Sequence, residues 1–220
     1  MAHGGHYREA HPLVFVFTHW INLLCIFFLA VTGFYIHFPY LTGIFAMSLM
    51  RGVHFFAMWV LIINLTLRIV LAFFVKDTLL LGVRGPVETD IRNWLPQKEN
   101  RHQFFQTLKY YLFFRKEGVI SGKYGNLQKI AYIATVPITF AMAYTGFCLY
   151  PPFMQAAFFR AGSEWVGGVM NMRLVHYFGM WVIILFTAIH AYLANIYNFA
   201  PSRLIFLRKE TPAPGEVAAK

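Results

Sequence analysis

RLVHYFGMWV, residues 173–182, restates RGVHFFAMWV, residues 51–60, with seven of ten positions identical. Each copy sets one histidine, His54 or His176, near the start of a long apolar block, and the two lie 122 residues apart. A second echo, at an offset of 113 residues, matches Val31-Thr32-Gly33-Phe34-Tyr35 with Tyr144-Thr145-Gly146-Phe147-Cys148. Two echoes in this order describe two helical hairpins of like topology, a parallel repeat about an axis along the membrane normal. Such an axis puts His54 and His176 at one depth, facing each other across a bundle.

The surroundings of the repeat are those of a membrane protein. Of 220 residues, 58% are hydrophobic and only 13% are charged, where soluble domains carry about a quarter charged residues. Crossing the hydrocarbon takes about 20 mostly apolar residues. Four blocks satisfy this: residues 12–36, 52–75, 127–149 and 174–197. The expected fold class is therefore an all-α membrane protein, a four-transmembrane-helix bundle over residues 12–200 with tails at 1–11 and 201–220. The first block is too long for a secretory leader and no small-residue cleavage pattern follows it, so it reads as a retained helix. Between the second and third spans, Phe104, Phe105, Leu108, Tyr111 and Leu112 recur at helical spacing beside Lys109, Arg115 and Lys116. That pattern predicts an amphipathic helix, lying in the interface or packed under the bundle. The tail from Thr211, rich in Pro, Gly and Ala, reads as disordered.

Basic residues set the direction of insertion. Of those outside the spans, fourteen fall in the two tails and the middle loop, against Arg51, Arg160 and Arg173 on the other side. Both termini and the middle loop are expected to face the cytoplasm, placing the chain in a bacterial inner membrane. The net charge of +10 then reflects topology and contact with membrane lipid rather than nucleic-acid binding. Cys25 and Cys148 fall inside apolar blocks and form no Cys-x-x-Cys, which excludes a cysteine zinc site and covalent c-type haem.

Position sorts the nine histidines. His3, His6, His11 and His102 lie in polar segments and read as solvated, and His37 follows the first span. His19, His54, His176 and His190 lie within spans, where an ionisable side chain is costly and faces a cavity, a partner or a cofactor. A hydrogen-bonded packing histidine is the alternative for any one of them. His190 follows His176 by fourteen residues, close to four helical turns, and so shares nearly the same face about 21 Å further along. Two pairs result: His54 with His176 at the outer depth, His19 with His190 at the inner. Opposed neutral imidazoles suit the two axial positions of a haem iron working in electron transfer. Zinc fits less well, having no nearby thiolate or carboxylate to complete four ligands. The reading is two haem b groups with these four histidines as iron ligands.

The inner half departs from the repeat. The counterpart of His190 in the second span is Arg68, and the counterpart of His19 in the third is Tyr132. Arg68 either pairs with an inner haem propionate or snorkels to the nearby interface. Gly33, Gly146 and Gly179 admit a porphyrin or, equally, a neighbouring helix. No acid–base pair or nucleophile stands out, so no catalytic residue is assigned.

Several phrases carry a resemblance: His19-Trp20-Ile21-Asn22, Thr32-Gly33-Phe34-Tyr35-Ile36, Arg51-Gly52-Val53-His54, Tyr110-Tyr111-Leu112-Phe113, Thr145-Gly146-Phe147, and the last span from Arg173 to His190. Over residues 11–200 the chain resembles the b-type cytochrome subunits of membrane-bound nickel–iron hydrogenases, and the related gamma subunits of formate dehydrogenases. The resemblance implies an outward-facing partner, an iron–sulfur small subunit with a catalytic large subunit, of a hydrogenase or else a formate dehydrogenase. It further implies electrons passing inward to menaquinone or ubiquinone near the cytoplasmic face. Lys123, Tyr124 and Asn126 are candidates for the rim of a quinone site there, the alternative for Asn126 being a helix N-cap. The chain has Val16 and Gly125-Asn126 where relatives often carry Arg and Asn-Pro. Other readings are a stand-alone diheme quinone oxidoreductase and a haem-free transporter or anchor.

Overall fold

The computed structural model describes residues 12–38, 40, 43–78, 87–94, 104–112, 114, 126–195, 202 and 205–206. His3, His6, His11, His102, Lys123, Tyr124 and the tail from Thr211 lie outside the described residues.

Long helices carry the architecture: α1 (Leu13–His37), α2 (Met47–Phe74), α5 (Asn126–Leu149) and α7 (Val169–Asn195). Three of them, α1, α2 and α7, are long and apolar enough to cross a membrane. In α5 the described apolar stretch is shorter, Ile133–Leu149. The exposed side chains of these helices are themselves large and apolar. On α2 they form a stripe of Leu49, Phe56, Ile63, Leu67, Val70 and Phe74, with Phe56 71% exposed. On α7 the stripe runs Met170, Leu174, Phe178, Trp181, Leu185 and Ile189. Steps of three, four and seven residues keep each stripe on one helix face. A helix apolar on its outward face as well as its buried one belongs in lipid. The chain is thus an integral membrane protein.

Hydroxyls inside these helices are satisfied by their own backbone, as a medium without water demands. Thr66 Oγ1 donates to the Ile62 carbonyl at 2.8 Å and Thr187 Oγ1 to Ile183 at 2.8 Å. Pro137 lies inside α5, where it brings no N–H to the helix ladder.

The shorter elements are strands β1 (Lys76–Thr78) and β2 (Val87–Thr89), then α3 (Asp90–Trp94), α4 (Phe104–Tyr111) and α6 (Ala157–Trp165). The strands pair antiparallel, with Asp77 opposite Glu88, and are an addition that an all-α expectation lacks. Between α2 and α5 the described helices are α3 and α4, and α4 holds Phe104, Phe105, Leu108 and Tyr111. Between α6 and α7, Gly167 and Gly168 take φ values of +89° and +112°, a backbone region that L residues with a Cβ rarely enter.

The chain divides into two compact units. One comprises residues 1–17, 67–134 and 190–220; the other comprises 18–66 and 135–189. In the first, the hairpin ends where the Asp90 N–H bonds the Val75 carbonyl at 3.1 Å, which fixes the start of α3. In the second, buried Asn64 on α2 donates to the Thr18 carbonyl at 2.8 Å and to Asn22 Oδ1 at 2.6 Å. This ties α2 to α1. Tyr35 closes the far end of α1: its hydroxyl donates to the Phe45 carbonyl at 2.6 Å and accepts from the Phe45 N–H at 2.9 Å. Substituting Asn64 by Leu is expected to loosen the α1–α2 contact by about 1 kcal/mol, the scale of such bonds between membrane helices. Unfolding in mixed micelles measures the loss, and wild-type stability for that variant would contradict the role given to Asn64.

Candidate functional site

The second unit brings His54 and His176 together, with ring centroids 6.3 Å apart and planes inclined at 68°. Two imidazoles on opposite sides of one metal ion stand about 6 Å apart between centres, since each metal–nitrogen bond is about 2 Å and each nitrogen lies about 1 Å from its ring centre. The observed separation suits a single ion between them.

Each ring is held by the preceding long helix of its own hairpin. His54 Nδ1 lies 2.9 Å from Thr32 Oγ1 on α1, and His176 Nδ1 lies 2.8 Å from Thr145 Oγ1 on α5. Each threonine hydroxyl also bonds backwards within its own helix. Thr32 donates to the Phe28 carbonyl at 2.6 Å and Thr145 to the Met142 carbonyl at 3.0 Å.

The next residue in each echo is a glycine, and it approaches both a ring and a methionine. A Cβ at Gly33 would lie 3.7 Å from His54 Cε1 and 3.3 Å from Met180 Sδ. One at Gly146 would lie 3.4 Å from His176 Cε1 and 3.7 Å from Met58 Sδ. The following phenylalanine meets a tryptophan: Phe34 with Trp181 at 5.3 Å, and Phe147 with Trp59 at 5.2 Å between ring centres. One turn beyond, His37 stacks on Tyr177 at 3.9 Å, and Tyr150 lies over Phe55 at 3.9 Å. Every one of these pairs maps onto its twin by the offsets of 113 and 122 residues.

The logic of the repeat is thereby visible. In each half, Thr-Gly-Phe holds the histidine of its own hairpin and receives the Met-Trp of the other. Sequence reasoning missed the methionines, the tryptophans and the role of the threonines. The signal was present, since all of them are identical between the two copies of the phrases.

Among the described residues no group of three or more His, Cys, Asp or Glu side chains gathers as a metal site. A two-imidazole site therefore suits a metal that arrives with its equatorial ligands, as iron does in a porphyrin. The residues present fit such a group. Cys25 and Cys148 are buried and form no disulfide.

The remaining candidates are placed as follows. His19 lies on α1 in the second unit and His190 on α7 in the first; their pairing rests on sequence register. Asn126 is the first residue of α5. Arg68, near the end of α2, donates from Nη2 to Asp90 Oδ2 at 2.6 Å. Its guanidinium lies 3.8 Å above the Phe15 ring and 5.0 Å from that of Trp94. Trp94 Nε1 adds a bond to the same Asp90 oxygen at 3.0 Å. The Asp90 side chain is fully buried and that of Arg68 is 17% exposed. Arg68 Nη1 is buried and makes no hydrogen bond. It is the donor that a propionate could still engage.

The known proteins to which the chain is similar are cytochromes. A family model described as prokaryotic cytochrome b561 matches residues 10–206. The chain is 30% identical over 190 residues to the probable Ni/Fe-hydrogenase 1 B-type cytochrome subunit of Escherichia coli strain K12, covering 80% of this chain and 77% of that protein. It is 31% identical over 195 residues to the probable Ni/Fe-hydrogenase B-type cytochrome subunit of Rhodobacter capsulatus, covering 80% and 69%. The counterpart from Rhizobium leguminosarum is 28% identical over 192 residues, covering 80% and 75%.

Proposed function

The chain belongs to the prokaryotic cytochrome b561 family, and from that premise we propose that it is the membrane-anchoring, diheme b-type subunit of a hydrogenase. It works as a bundle of four membrane-crossing helices, with α5 as the fourth. Electrons enter from an outward-facing iron–sulfur small subunit attached to a catalytic large subunit. They leave to menaquinone or ubiquinone near the cytoplasmic face, where the termini and the middle loop lie. The observation that carries the reading is the His54–His176 pair, with ring centres 6.3 Å apart and each Nδ1 engaged by a threonine.

Haem bound there supplies one-electron exchange. His54 and His176 are the residues that would hold its iron. Gly33 and Gly146 let α1 and α5 come close to the rings. The apolar helices exclude water, which limits the reorganisation that accompanies each change of charge. His19 and His190 serve a second, inner haem in the same way. Arg68 would engage its propionate through Nη1, and Lys123, Tyr124 and Asn126 are the candidates for the rim of the quinone site.

The chain purified in mild detergent is expected to show a b-type α band in the reduced-minus-oxidised spectrum and to co-elute with a nickel- and iron–sulfur-containing partner. A chain without that band would end the electron-transfer reading. A haem-loaded chain that co-elutes with no partner would favour a stand-alone quinone oxidoreductase, and a molybdenum- or tungsten-containing partner would favour a formate dehydrogenase.

The glycines allow a graded check. Gly146→Ala is expected to keep both haems, because its Cβ would make ordinary contacts at 3.4 and 3.7 Å. Gly146→Leu is expected to lose the outer one, since overpacking at a tight contact displaces its neighbours. Haem content per chain reads the difference, and equal content in the two variants would contradict the placement.

A further inference from the structure

We propose that Thr32 and Thr145 are positioning residues that fix the tautomer of His54 and His176 and thereby set the reduction potential of the haem between them. The inference rests on the haem reading above and extends it to two residues outside the iron's own ligands.

A threonine hydroxyl carries one hydrogen and two lone pairs. Thr32 commits its hydrogen to the Phe28 carbonyl at 2.6 Å, and Thr145 commits its own to the Met142 carbonyl at 3.0 Å. Toward the imidazole, 2.9 or 2.8 Å away, each oxygen has only a lone pair left to offer. Nδ1 must then carry the ring hydrogen and donate it. In a neutral imidazole, Nε2 is thereby left with the free lone pair. Both rings are thus prepared to bind iron through Nε2, before any iron arrives.

A hydrogen bond accepted from Nδ1–H also makes the imidazole a stronger base, and groups of this kind orient and tune metal ligands. A stronger donor favours ferric over ferrous iron, so each threonine holds the potential down. Burial strengthens the effect: Thr32 is 3% exposed, so no water competes for Nδ1. Each half of the repeat presents one threonine to one ring, so both threonines act on one haem.

The test is a redox titration of the purified full chain carrying Thr32→Val, Thr145→Val or the corresponding serine variants. Each valine variant is expected to retain haem and to shift one spectral component by roughly tenfold toward the reduced form, ~59 mV for one electron. The same component is expected to move in both, while the other stays fixed. Serine keeps the hydroxyl and is expected to restore the wild-type value. The ferric EPR g-values of the shifted haem should move with valine and return with serine. Should one valine variant fail to accumulate, its twin in the other hairpin supplies the same reading. Valine variants loaded with haem at the wild-type potential would overturn the proposal, as would shifts in two different components or serine behaving like valine. Absence of haem from the wild-type chain would instead overturn the functional reading itself.

Discussion

Replacing His176 by alanine is expected to halve the haem content of the purified chain while leaving its insertion in the membrane intact. The two consequences come from different physics. Insertion depends on the apolar length of α7, Val169–Asn195, and removing an imidazole makes that helix more apolar. Haem retention depends on iron ligands. His54 alone would leave the outer iron with one axial bond, an open position and an unfilled space where the second ring stood. The inner pair, His19 and His190, shares no residue with the outer one and should keep its haem. His54→Ala should give the same result, since the repeat makes the two ligands equivalent. Pyridine haemochrome per chain measures the loss. A full complement of haem in either variant would refute the pairing.

The second large effect is expected at Arg68, and it concerns stability. The Asp90 carboxylate is fully buried, and its partners are the Arg68 guanidinium and Trp94 Nε1. Removing one member of a buried pair strands the other charge, at a cost of about 3–5 kcal/mol. Arg68→Met should therefore be strongly destabilised in detergent unfolding. Arg68→Met combined with Asp90→Leu should recover most of the loss, because two apolar side chains replace two charges. The same double variant separates the roles given to Arg68. If Nη1 serves the inner propionate, the rescued protein regains stability but binds its inner haem more weakly. Arg68→Met melting like the wild type would dismiss the ion pair as a structural element.

How far these features could be read from the sequence varies with their range. The long helices follow from apolar block length, which is a local property: α1 and α5 begin and end within one residue of the blocks 12–36 and 127–149, while α7 begins at Val169, five residues before its block. The start of α2 at Met47 precedes the expected 52, because Met47–Met50 continue the helix without being needed to cross lipid. His54 and His176 were legible because ionisable groups are rare in such blocks and because the phrase around them recurs. Their partners were harder to see. Thr32 and Thr145 look like ordinary small helix residues until the geometry brings each to its ring. Met58 and Met180 pass for core filler until each faces the glycine of the opposite hairpin.

Arg68 shows the limit most clearly. Its place late in a long helix was readable, but Asp90 lies 22 residues away, beyond a hairpin of two three-residue strands. Periods of 2 and 3.6 detect faces, and neither detects a contact made by a turn of that kind. The short strands were missed for the same reason, since three residues give too little alternation to register.

A cryo-electron density map of the purified, detergent-solubilised chain would test the central claim most directly. The account predicts a planar macrocycle between α2 and α7, its iron bonded to Nε2 of His54 and of His176, with each Nδ1 turned to its threonine. Rings still hydrogen-bonded to Thr32 and Thr145 with no macrocycle between them, in protein that carries its full haem, would contradict it.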